Sequence, residues 1–156
     1  MKLAEALALR AEAVRRVEQL RARVVSSARH QEGEEPAENA GALLAEAGEV
    51  LDELEALIRR INRTNAQAVV DGGGTLTDAL ARRDVLRLRH AVITDAADAA
   101  AGRDRHGAVR QLRSELKMLS TLPVGELRAR ADVLAREIRE TDVLIQRSNW
   151  EVDLLD

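Results

Sequence analysis

The sequence predicts an all-α protein, an antiparallel bundle of four long helices with a short β-hairpin or extended element near residues 68–77 and 114–120. Three observations predict it. Aliphatic residues recur at steps of 3 and 4 through four long segments, the spacing that puts side chains on one helical face. Gly and Pro are rare, 9 and 2 in 156 residues, and the prolines lie between those segments. The packing material is thin: there is no Phe or Tyr and one Trp, so Ala, Leu, Val and Ile must fill the core. Such side chains let helices approach closely but bury little area each. A chain of this length is one domain's worth, residues 1–156, and it gains from burying surface against copies of itself.

The first helix is expected from Leu3 to Ala28, with Leu3, Leu7, Val14, Val17, Leu20 and Val24 as its inner stripe. It stops at HQEGEEPAEN, where Gly33 and Pro36 punctuate the chain. The second begins between Pro36 and Asn39 and runs to Asn65. Leu44, Ala47, Leu51, Leu54, Ile58 and Ile61 form its seam, and Asn65 continues the series. A polar seam residue fixes register if its amide finds a partner. Next, β-branched residues flank Asp71 and three glycines, a hairpin signal.

Thr77 caps the third helix, with Asp78 favourable to the dipole there. That helix runs to Ala101, with Leu80, Leu86, Ile93, Ala97 and Ala100 inward. In the SELKMLSTLPV segment, Glu115 and Lys117 alternate with Leu116 and Met118, as in a brief strand. Pro123 suits the first position of the last helix. Val124, Leu127, Ala131, Leu134, Ile138, Thr141 and Ile145 form the cleanest seam in the chain. Trp150 is expected to anchor the C-terminal end, leaving EVDLLD as a short tail.

Composition excludes several functions. The absence of cysteine removes disulfides, thiol nucleophiles and zinc–thiolate sites, and fits a reducing cytoplasm. A net charge of −3 argues against a nucleic-acid binder. The first 20 residues mix acids and bases, with no apolar run for a signal peptide or membrane span. The expected location is therefore cytoplasmic, and Asn62–Thr64 is not read as a glycosylation site. Charge is segregated: residues 31–58 hold nine acids and no Lys or Arg, whereas residues 78–113 hold eight Arg and five Asp, a net of +3. Opposite-sign segments pair within a subunit or between subunits.

Several short motifs occur here in the order seen in one family. They are Gln31-Glu32-Gly33-Glu34 with Pro36 and Glu38, Leu57-Ile58 with Arg60-Ile61-Asn62 and Thr64-Asn65, Asp71-Gly72, Thr75 to Asp84, Ser114 to Lys117, and Gln146 with Asn149-Trp150. Over nearly its whole length the chain resembles a family of small all-helical bacterial proteins of unknown function, whose members are often labelled septicolysin. Leu116, where isoleucine is expected, and the extra glycine at 73–74 depart from the pattern. The resemblance implies a helical bundle and no mechanism. The label's cytolysin reading is the remote one, since no segment suited to insertion occurs.

Two polar groups could carry chemistry. The acidic loop offers Gln31, Glu32, Glu34 and Glu38, but its spacing fits no EF-hand or His-Glu motif and predicts no metal. Its acids are expected at the start of the second helix, where unpaired N–H groups favour negative charge, or in ion pairs. The second group is Asn62, Asn65, Arg82, Arg83, Asp84, Glu115 and Lys117. These converge if the connector after the third helix runs back along the bundle. They are read either as a structural polar network or as a pocket for an anionic small molecule, with arginines as bidentate donors. No serine sits on a nucleophile elbow, and His30, His90 and His106 lack triad or metal spacing. No catalytic residue or cofactor is predicted. The function expected is a homo-oligomeric structural or interaction module, without nucleic-acid or membrane partners. The alternative is an anion-binding protein or an enzyme built on the second polar group.

Overall fold

The structure, a computed structural model, describes residues 1–103 and 116–156. Four helices account for its regular structure: α1 (Leu3–Ser27), α2 (Ala40–Gln67), α3 (Leu76–Ala100) and α4 (Val124–Glu151). The described residues form no β-strand and are distributed between two compact units. Met1–Leu76 with Gln146–Asp156 make one, and Thr77–Ile145 the other.

In the first unit, α1 and α2 pack together. Arg23 pairs with Glu38 and Arg16 with Glu46, so residue numbers rise along one helix as they fall along the other, and the pair is antiparallel. α2 starts at Ala40 because Asn39 caps it: its side-chain oxygen accepts from the Ala42 N–H at 3.0 Å. Glu34, Glu35 and Glu38 therefore precede the helix and do not sit in its first turn, contrary to expectation. Glu38 is held by Arg23 instead.

The two expected stripes are mostly buried or half-buried, with one exception on α1 and two on α2. On α1, Val14 is 47% exposed while Ala13 is half-buried. On α2, Leu44 and Leu51 are 60% and 48% exposed, while Leu43 is buried and Val50 and Leu57 are half-buried. The cause is that α2 carries two adjacent aliphatic stripes. A single neighbouring helix covers only one of them.

The expected hairpin is absent. Val69 and Thr75 form one isolated antiparallel bridge. Gly72, Gly73 and Gly74 all have positive φ, 90°, 92° and 86°, and coil the chain at once. The helix then begins at Leu76, whose N–H reaches the Ala68 carbonyl at 2.8 Å, so no residues remain to extend a ladder. Thr77 consequently lies inside the first turn of α3, and Thr75 takes the cap position. Residues 116–120 are no strand either. The Ser120 hydroxyl donates to the Leu122 carbonyl at 2.6 Å and accepts from its N–H at 3.3 Å, a local turn. Residues 114 and 115 lie outside the described residues.

The C-terminal residues are docked, not a loose tail. Leu3 N–H donates to the Val152 carbonyl at 3.0 Å and Leu154 N–H to the Met1 carbonyl at 2.9 Å. Lys2 donates to Asp153 at 2.8 Å. Leu154 is buried, and Leu155 N–H donates to the Thr64 hydroxyl at 3.0 Å. The expected anchor Trp150 is 63% exposed, and its neighbours Ser148 and Asn149 are buried in its place.

In the second unit, α3 and α4 share a core of Leu86, Ile93, Ala97, Leu127, Ala131 and Leu134. The predicted α4 seam is buried or half-buried throughout. Asp98 with Arg128 (2.5 Å) and Arg87 with Asp142 (3.1 Å) make this pair antiparallel too.

Candidate functional site

Within the second unit, the arginines of the second polar group make local ion pairs. Arg83 donates through Nε and a terminal nitrogen to Asp84, at 3.0 and 2.8 Å, a two-point clamp by its own chain neighbour. Arg82 faces Glu137 of α4 at 3.5 Å. All three belong to the second unit, as does exposed Lys117. Asn62, exposed, and Asn65, half-buried, belong to the first unit. Glu115 lies outside the described residues.

The polar residue with defined partners at the end of α2 is Thr64, which the sequence places with Asn62 and Asn65 where that helix finishes. Thr64 is fully buried, donates to the Arg60 carbonyl at 2.8 Å and accepts from Leu155 N–H. Arg60 in turn holds the Leu155 carbonyl and Asp156, both at 3.0 Å, and Arg63 donates to the Asp156 carbonyl. The basic end of α2 thus binds the chain's own last residues.

In the acidic loop, Gln31, Glu32 and Glu34 are exposed, and the Gln31 carbonyl accepts from Glu34 N–H at 3.0 Å. The Arg23 guanidinium, by hydrogen bonding and then by its charge, holds the Glu38 carboxyl below the usual carboxylate range. Among the described residues no three His, Asp or Glu side chains converge to hold a metal ion, and no helix is long and apolar enough to cross a membrane.

A groove of about 540 Å³ runs between α1 and α2, floored by Leu9, Ala13, Val50, Leu54 and Leu57. The arginines on its rim, Arg16 and Arg60, are engaged by Glu46 and by the last residues of the chain.

The least expected feature is on α3. Val85, Leu88 and Val92 are 52%, 68% and 66% exposed. They step by 3 and 4 residues, forming a second stripe away from the buried Leu86, Ile93 and Ala97. The sequence signal was available: apolar residues surround α3 instead of favouring one side, and the core shared with α4 takes only one of the two stripes.

Residues 10–154 match a family described only as of unknown function (DUF6847). No curated protein matches the chain. Among solved structures, the chain is similar to a functionally unknown conserved protein from Corynebacterium diphtheriae. Identity is 42%, 99% of each chain is covered, and the TM-score is 0.88. These findings agree with a small helical family without assigned function, and neither carries the septicolysin name.

Proposed function

From the premise that the chain belongs to the family of unknown function DUF6847, we propose that it is a self-assembling structural or interaction module, acting by binding and not by catalysis. One observation carries this reading: the aliphatic stripes left uncovered in helical register, above all Val85, Leu88 and Val92 of α3. Water contact at such residues is unfavourable by about 25 cal/mol per Å² of apolar surface, and a second chain relieves it.

The segregated charges set orientation in this reading, and the match across residues 10–154 supports treating the chain as one functional piece. A cytoplasmic location is part of the proposal, and the cysteine-free composition fits it. The anion-pocket alternative has less support, because Arg83 is already clamped by Asp84 and Arg82 faces Glu137.

Light scattering at low and high salt tests the proposal. The expected result is a mass above the 17.1 kDa of one chain at micromolar concentration, shifting with salt. A single-chain mass at every concentration overturns it.

A further inference from the structure

We infer that the exposed stripe of α3 is the contact between two copies of this chain, paired parallel about a twofold axis. The inference rests on the self-assembly reading and adds the face, the orientation and the residues that select it.

Ala81, Val85, Leu88 and Val92 follow the steps of 4, 3 and 4 that a coiled-coil seam requires. All four are exposed. The next seam position is Asp95, which limits the contact to about three turns. The stripe lies well over 90° around α3 from the face packed on α4, by the 100° per residue of an α-helix, so α4 does not obstruct a partner.

Charge decides the occupant and its direction. One flank of the stripe carries Arg82 and Arg89, the other Asp84. In a parallel pair, opposite flanks meet, and the residue before one seam position faces the residue after the following seam position on the partner. Asp84 of each copy then faces Arg89 of the other, twice by symmetry. In an antiparallel pair, like flanks meet, and Arg89 of each copy is brought towards Arg82 of the other. The surface is therefore complementary to itself in one direction only, which favours a second copy over an unrelated partner. Asp84 is 62% exposed at its side chain and retains acceptor capacity beyond its bonds to Arg83.

The chain has no cysteine, so single cysteines report the geometry cleanly. Val92→Cys replaces a side chain that is largely in solvent, and parallel pairing brings each Val92 beside its counterpart, within reach of a disulfide. Full-length Val92→Cys is expected to form a covalent dimer on mild oxidation. Leu88→Glu is expected to raise the dissociation constant at least about tenfold with an unchanged helical circular-dichroism spectrum. Asp84→Arg or Arg89→Asp alone is expected to weaken association, and the double exchange to restore it. If wild type associates but Val92→Cys does not cross-link to itself, the parallel α3 contact is wrong while the assembly reading stands. The same holds if Leu88→Glu associates normally. Cross-linking only in mixtures of Ala81→Cys with Val92→Cys means an antiparallel contact and overturns the inference. A single-chain mass for wild type overturns both.

Discussion

Thr64 shows how much one side chain can organise. Its hydroxyl is fully buried and serves both the α2 backbone and Leu155 N–H. Thr64→Val keeps the shape and removes the acceptor, leaving that N–H short of a partner. We expect a loss of about 1–3 kcal/mol, read as a lower urea midpoint with unchanged slope. Glu38 gives a pH signature. Its carboxyl is held below its ordinary pKa by Arg23, so folding gains from the pair at neutral pH, and the gain is lost as pH falls through the depressed pKa. Asp153 beside Lys2 behaves alike. Glu38→Gln should lower stability at pH 7 and flatten its decline between neutral and acid pH. A decline as steep as that of wild type would count against the pair's role. The sequence leads to an ion pair for Glu38 without naming Arg23, 15 residues away, and gives Thr64 no partner.

The helices themselves were legible, because a 3.6-residue period survives in long segments whatever covers them. The α4 seam is legible from Val124 to Ile145, since a single stripe leaves no ambiguity. The α2 seam is legible in part: Ala47, Leu54, Ile58 and Ile61 are buried or half-buried, but Leu43 and Leu44 both satisfy the periodicity and only the partner's position chooses between them. The turn before α3 failed for a different reason: an Asp-Gly pair signals a hairpin, but three positive-φ glycines make a coil. Adding a Cβ at Gly73 meets no atom within 4 Å, so Gly73→Ala should cost only the left-handed backbone penalty, about 1–2 kcal/mol. Asn39→Ala removes the α2 cap and should cost about 0.5–2 kcal/mol. Thermal denaturation of the two variants checks both values, and an unchanged melting temperature in either refutes that assignment.

For the whole molecule, length, composition and periodicity forecast a helical protein, and family membership leaves its activity open. The candidate polar site was the least legible part. Of its charged residues, Arg83 is bound by its neighbour Asp84 and Arg82 faces Glu137, partners that residue type alone does not reveal. What the sequence could not rank was which aliphatic stripe stays outside, since that depends on how many neighbours each helix has. The central claim is that α3 leaves Val85, Leu88 and Val92 outside for another copy of the chain. Sedimentation velocity of wild type beside Leu88→Glu, across a dilution series, tests it most directly. The account predicts a wild-type species of twice 17.1 kDa or a multiple of it, falling to one chain in the variant. Identical single-chain sedimentation of both proteins at every concentration would contradict it.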